Sequence, residues 1–314
     1  MSKVMPSVDF EYVKCNLCGE NKSELLFKAK DRFAGEDSLR SPPDEFNIVR
    51  CCNCGLVYLN PRPTTESIPS YYPKEYGVKI SKLTSVKFRL SHIYRRLFGG
   101  DLYSLGSLPE GRVLDIGCGS GFFLRRLADE EWETHGVDSS PVAIGRATSL
   151  GVNAFLGKLE EAHFEDEYFD AAVMIHSLEH MHDPLATLIE VHRVMKDQGI
   201  LIIGVPNIGS ISAKVFKQFW DGIDTPRHLY CFSPHTLKLI LEKAGFRMIN
   251  ISYEPLSPLM SLSRFTKNKW LQVLLRSKLL LALFYPPGAI ISKIFHQGSI
   301  MVVKARKELR VMKA

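Results

Sequence analysis

No stretch of this 314-residue chain is apolar for long enough to cross a bilayer. The longest nearly apolar run, Leu279 to Ile291, covers 13 residues and is broken by Pro286-Pro287-Gly288. About 20 apolar residues are needed to span the hydrocarbon core, so no transmembrane helix is expected. The opening residues Met1 to Phe10 lack the apolar segment of a secretory leader. A cytoplasmic location is therefore expected, with peripheral attachment at the inner face of the membrane left open. Without a leader, the seven cysteines point to a metal or free thiols rather than to disulfides. Two stretches lack acidic residues altogether, Lys79 to Gly100 and Pro255 to Lys307. The formal charge of +6 is modest, so its placement matters more than its size.

The most informative residues present are Val113-Leu114-Asp115-Ile116-Gly117-Cys118-Gly119-Ser120-Gly121. They read as an apolar strand, an acidic residue near its carboxyl end, a glycine loop, and a helix beginning at Phe122. That order brings a ligand against bare backbone at a helix N-terminus, with a carboxylate beside it. A dinucleotide fingerprint would need a further glycine where Phe122 stands. Asp138 ends the next apolar strand, 23 residues after Asp115. A carboxylate there can accept hydrogen bonds from both hydroxyls of a ribose. The competing reading is an ordinary βαβ turn.

Strands are expected near 112–116, 133–137, 152–156, 169–175, 198–205, 246–254 and 298–305, and helices near 122–131, 141–150, 184–195 and 234–244. Asp183-Pro184 and Ser233-Pro234 supply helix starts, and Ala244-Gly245 supplies a stop. Such alternation predicts an α/β fold with a mostly parallel, doubly wound sheet covered on both faces. The length allows one such domain of about 200 residues and a small module.

Residues from about 110 to 305 resemble a class I S-adenosylmethionine-dependent methyltransferase. The resemblance rests on the glycine loop, Asp138, Gly157-Lys158-Leu159-Glu160-Glu161, Phe169-Asp170, and His176-Ser177-Leu178-Glu179-His180. It implies a Rossmann-like seven-stranded sheet whose last strand, near Gly298 to Lys304, is antiparallel. It also implies that Asp115, Gly117, Cys118, Gly119 and Gly121 hold the methionine end of the cofactor. Asp138 and Ser139 would hold its ribose, Lys158 and Leu159 would border the adenine, and His176 would close the site. The expected organisation is a module at 1–75, a basic linker at 76–109, and the catalytic domain at 110–314 with an insertion at about 255–297.

Cys15-Asn16-Leu17-Cys18-Gly19 and Cys51-Cys52-Asn53-Cys54-Gly55 form two Cys-x-x-Cys-Gly knuckles. A two-residue gap lets both thiolates of a knuckle reach one ion, and four sulfurs are the closed tetrahedral set of a structural zinc site. Cys15, Cys18, Cys51 and Cys54 are the expected ligands of this zinc ribbon, Cys52 a spectator, and Cys118 and Cys231 packing residues. Four reduced thiols without metal are the alternative. The loop from Lys28 to Glu45 mixes both charge signs, against a pure phosphate-binding surface. Basic Lys79 to Gly100 has apolar residues at helical spacing, as either a cover over the pocket or a membrane-surface helix.

Side chains just beyond the carboxyl ends of the fourth and fifth expected strands face the reaction. His228 is the expected general base, since an ordinary histidine pKa suits proton removal near neutrality. The alternative is a neutral histidine pinning its loop against Asp224. The string His228-Leu229-Tyr230-Cys231-Phe232-Ser233 is similar to the His-x-x-Tyr-Phe-Ser segment of zinc-containing sugar C-methyltransferases, with Cys231 where that family has tyrosine. Glu179, His180 and His176 are the other catalytic candidates. They also resemble the Glu-x-x-Glu-His cluster that binds a divalent ion in some ubiquinone O-methyltransferases, so a second metal stays open. From Pro255 to Lys307 there are nine Lys or Arg residues among leucine-rich stretches. That composition fits an anionic acceptor with a lipid tail or an anionic membrane, and equally a lid or dimer helix. The expected acceptor is a small molecule or glycan. An RNA methyltransferase gripping its substrate through the ribbon is the alternative, disfavoured because the basic segments are interleaved with leucine rather than stacking aromatics.

Overall fold

The computed structural model of the chain describes residues 8–31, 33, 45–73, 104–105, 108–254 and 258–308. The basic helix expected over Lys79 to Gly100 lies outside the described residues. At the amino terminus β1 (Phe10–Glu11) pairs with β5 (Arg62–Pro63), while β2 (Ser23–Ala29), β3 (Phe46–Cys51) and β4 (Val57–Leu59) form an antiparallel sheet. The main sheet contains β6 (Arg112–Ile116), β7 (Glu133–Asp138), β8 (Asn153–Leu156), β9 (Phe169–Ile175) and β10 (Met195–Pro206). A two-residue strand, β11 (Tyr230–Cys231), leaves for the amino-terminal sheet before β12 (Phe246–Tyr253) and β13 (Ile300–Lys307) return. The strand order is β12-β13-β10-β9-β6-β7-β8. Strand β13 runs antiparallel to both its neighbours, and the other pairs are parallel, as expected for a Rossmann-like sheet of this class.

Alternate residues of the central strands feed two different cores, as the period of two in a strand requires. Leu114, Met174, Leu201 and Ile203 join one core, and Val113, Val173, Ile200 and Ile202 join the other. Burial on both faces explains why these strands read as continuous apolar runs. Helices α1 (Phe122–Ala128) and α2 (Pro141–Ser149) cover the second core through Leu124, Leu127 and Ala147. Helix α3 (Pro184–Val194) covers the first through Leu188 and Val191. A short α4 (Ile211–Phe216) follows β10, and α5 (Pro234–Lys243) adds Leu237 and Ile240 to the first core. Asp183 and Ser233 cap α3 and α5 by accepting from Ala186 N and Thr236 N, the starts expected from Asp-Pro and Ser-Pro.

The amino-terminal module belongs to the first core. Phe46, Tyr58 and Tyr71 pack in the same cluster as Leu229, Phe232 and Leu237. Its sheet takes a fourth strand from the catalytic domain, with Tyr230 opposite Tyr58 and Cys231 opposite Val57. Cys231 and Cys118 are both buried, in keeping with packing roles.

The insertion forms α6 (Leu259–Phe265), α7 (Lys269–Leu275) and α8 (Lys278–Phe295), capped at the last two by Asn268 and Ser277. Helix α8 continues through Pro286-Pro287-Gly288, the residues that break the apolar run in the sequence. Proline removes a helix N–H donor but keeps φ near the helical value, and helical turns on both sides carry the chain through.

Candidate active site

The glycine loop turns sharply between β6 and α1. Gly117 has φ of +79°, and a Cβ there would lie 2.6 Å from Ser177 Cβ, so only glycine fits both the backbone and the neighbouring loop. Gly119 has φ of +53°, and nothing lies within 4 Å of a Cβ built on it, so its backbone faces open space. Asp138 at the end of β7 accepts from Gly119 N at 2.9 Å and from Ser140 N at 2.8 Å. A carboxylate offers about four lone-pair sites, so capacity remains for a diol. Ser139 beside it is exposed. Asp115 is buried, and desolvation together with the nearby Asp138 charge raises its carboxyl to about 7. Cys118 packs against Gly136, and burial pushes its thiol far above the ordinary range. Beyond β8, Lys158 is exposed and Leu159 buried, and Lys158 N donates to Glu161 Oε2.

A second group gathers beyond the carboxyl ends of β9 and β10. A cavity of about 140 Å³ is lined by His176, Pro206, Asp221, Gly222, His228, Ser299 and Ile300. His176 has φ of +54°, a left-handed conformation that costs free energy in a non-glycine residue and clusters at functional sites. Burial disfavours a charged His176 ring, but Glu179 Oε1 lies 3.3 Å from its Nδ1 and raises its pKa. Glu179 is 1% exposed, and burial alone would favour its neutral form. The His176 contact and the fields of His180 and His228 instead hold it at about 2, so it is an anion. Its Oε2 is buried without a protein partner.

His228 is the residue whose sequence reading changes most. Its Nδ1 lies 3.0 Å from Gly222 O, an acceptor, so Nδ1 carries the proton and Nε2 keeps a lone pair. Burial, reinforced by His180, lowers its pKa to about 4. The ring is therefore neutral and is held by Gly222 O rather than by the Asp224 carboxylate, while the His228 backbone N–H donates to Asp224 O at 2.8 Å. Both Asp224 carboxylate oxygens are taken by Arg227, which is longer, fully ionised and better matched to a carboxylate. His180 stands edge-on to His228, with ring centroids 4.8 Å apart. Its Nδ1 lies 3.0 Å from Arg227 O and 3.1 Å from Tyr72 Oη. Ligand atoms of Glu179, His180 and His228 all come within 4.8 Å of one another. The structure thus brings His176, Glu179, His180 and His228 together.

Sequence reasoning missed the clamp that holds this group. Arg227 is fully buried and donates to Asp224, to Asp31 Oδ1 at 2.8 Å and to Tyr71 O at 2.7 Å, with its guanidinium over the Phe33 ring. Leu59 N donates to Leu229 O, and Leu229 N donates to Glu179 O. Arg62 donates to Glu11, to His182 O and to Tyr230 Oη. The adjacency of Arg227 to His228 was the available signal; its partners lie some 150 to 200 positions away.

In the module, Cys15 and Cys54 sulfurs lie 3.4 Å apart, Cys18 and Cys51 3.5 Å apart, and all four fall within 4.8 Å of one another. Zinc–sulfur bonds of about 2.3 Å place tetrahedral sulfurs about 3.8 Å apart, so this donor set fits a zinc ion. Cys52 is exposed and is not one of the four clustered sulfurs.

Comparison with known proteins matches residues 89–251, just over half of the chain, to the family model described as Methyltransferase domain. The chain is 26% identical over 243 residues to the ubiquinone biosynthesis O-methyltransferase of Maricaulis maris, covering 67% of this chain and 95% of that one. It is 26% identical over 145 residues to the malonyl-[acyl-carrier protein] O-methyltransferase of Serratia marcescens, covering 45% of this chain and 56% of that one. A biotin biosynthesis bifunctional protein of Teredinibacter turnerae is 28% identical over 153 residues, 44% of this chain and 26% of that one. The chain thus spans less than two thirds of the length of the last two relatives. With the glycine cradle and the seven-stranded sheet already in view, the family match makes this chain a member of the methyltransferase-domain family.

Proposed function

We propose that the chain transfers the methyl group of S-adenosylmethionine to a small-molecule or glycan acceptor, with His228 as general base. One observation carries the base assignment: a neutral histidine, fixed at Nδ1 by Gly222 O, lines a cavity on the same carboxyl edge of the sheet as the glycine cradle. The cradle fits the cofactor through its open backbone at Gly119 and through a buried Asp115 carboxyl whose charge a cationic ligand would hold. Asp115 and Gly117 to Gly121 would take the methionine end, and Asp138 with Ser139 the ribose. Leu159 and Lys158 would border the adenine, and His176 would close the site. The cofactor would supply a methyl group already activated on a sulfonium. The chain's own work is then to orient the acceptor and accept its proton. Burial keeps the His228 ring neutral before the reaction, and the nearby Glu179 anion stabilises the imidazolium that forms. Cys15, Cys18, Cys51 and Cys54 would hold a structural zinc, as their sulfur spacing supports. The module, with the His228 to Ser233 string, supports a saccharide acceptor.

A second reading, a divalent ion on Glu179, His180 and His228, is favoured by the unpartnered Glu179 Oε2. It would occupy the lone pair needed for the base. Transfer of labelled methyl into cell extract, fractionated into lipid-linked glycans, nucleotide sugars and RNA, tests the proposal. Label in a saccharide or small-molecule fraction, lost in His228→Ala, supports it. Label retained by His228→Ala rejects the base, label confined to RNA rejects the acceptor class, and stimulation by added magnesium favours the second reading.

A further inference from the structure

The insertion helices leave an apolar surface uncovered. Eleven of the 22 large hydrophobic residues exposed among the described residues fall between Leu262 and Phe295. On α7, Trp270 (86% exposed), Val273 and Leu274 share one helix face by their spacing of three and four. On α8, Phe284, Ile291, Ile294 and Phe295 repeat that spacing. Ile211 and Val215 on α4 add to the surface from the neighbouring segment, which contacts α6.

The charged side chains on these helices have one sign. Lys214, Lys217, Lys267 and Lys269 are exposed. No Asp or Glu occurs from Pro255 to Lys307, nor from Gln198 to Trp220, so no acidic residue lies on any helix of the patch. No helix among the described residues is long and apolar enough to cross a membrane. An apolar face whose own helices carry lysine and arginine but no acidic residue, with an exposed tryptophan, complements the headgroup zone of an anionic bilayer. A second copy of the chain would instead have to pair two basic rims.

The patch is joined to the cavity beside it. Ser261 of α6 donates to Asp221 Oδ1 and accepts from Asp221 N, and Arg264 donates to Trp220 O at 2.8 Å. Asp221 and Gly222 line the cavity, and Gly222 fixes His228.

We propose that α6 to α8, with α4, dock the protein on an anionic membrane surface and set the His176–His228 cavity at headgroup level. This docking does not depend on His228 being the base. It is tested by cosedimentation of the full chain with vesicles of phosphatidylglycerol and phosphatidylcholine, and with phosphatidylcholine alone. Both are run at low salt and at about 1 M salt, where screening shortens to about 3 Å. Binding is expected only to the anionic vesicles at low salt. Each lysine near an anionic surface contributes roughly fivefold in partitioning, so K267E/K269E is expected to lower it by more than about twentyfold. W270S/V273S removes the apolar anchor and is expected to release the protein as well. Calorimetric uptake of S-adenosylmethionine by both variants checks that they fold, and His228→Ala is expected to bind vesicles as the parent does. Absence of binding to anionic vesicles overturns the proposal, as does binding unchanged in both folded variants. A parent dimer that W270S/V273S converts to monomer without any vesicle binding also overturns it, assigning the face to a second copy.

Discussion

The glycine cradle and the His176–His228 cavity stand along the carboxyl edge of one sheet but are built in different ways. The cradle is local: Asp115, the glycine loop and Asp138 lie within two dozen residues, on adjacent parallel strands. The cavity is assembled from the loops after β9 and β10, the start of β13, and a clamp reaching into the amino-terminal module. A site made of one turn depends on that turn alone. A site made of distant segments depends on every contact that holds them in register, so damage far from its surface should reach it.

The comparison is broken most forcefully at His228. Replacing it with alanine should lower methyl transfer by about 10²- to 10⁴-fold, the usual worth of a positioned base, while calorimetric cofactor uptake stays unchanged. If uptake falls in parallel, the two halves are not separable. Next, Arg227→Leu leaves the Asp31 and Asp224 carboxylates buried without their cation. Breaking such a pair costs about 3–5 kcal/mol, so the denaturant midpoint should drop and acceptor turnover should fail well before cofactor binding does.

A smaller effect sharpens the cradle side. Asp115 titrates near 7 in the folded chain, against about 3.9 when unfolded. The unfolded form releases this proton first as pH rises, so the group lowers stability progressively between about pH 4 and 7. A cationic ligand favours the ionised carboxylate, so cofactor affinity should weaken as pH falls from 8 to 6. Asp115→Asn should flatten that dependence and weaken binding by about 1.5–3 kcal/mol, the worth of a hydrogen bond to a charged group. The smallest change expected is in Tyr72→Phe, which removes one hydroxyl from His180. A loss of about 0.5–1.5 kcal/mol in kcat, with the cofactor KM unmoved, would tie the module to the acceptor half.

The same contrast governs what could be read from the residues in order. Strands 112–116 and 169–175 were legible to the residue, and helix starts at Asp183 and Ser233 followed from their own side chains. The glycine loop and Asp138 were legible because the contacts that define them are short in sequence. The pairing of β11 with β4 joins positions more than 170 apart through two residues, and nothing in Tyr230-Cys231 announces it. The role of Arg227 was not legible, because its partners Asp31 and Tyr71 belong to another part of the chain. A helix in the insertion was legible as one alternative, but its division into three was not, because leucine-rich stretches of even character carry few stop signals. His228 was legible as a candidate, but its low pKa was not, since its burial and the neighbouring His180 charge emerge only from the fold.

The diverted strand β11 also sets a rule for anyone recombining these parts. Its edge closes the cysteine-bearing sheet from residues that follow β10, so the amino-terminal unit is not a detachable bead on a string. Moving it into another protein is a two-piece graft, in which residues 224–232 must travel with residues 8–73. A swap that carries only the first piece would leave an unpaired strand edge and a bare apolar face in both donor and recipient.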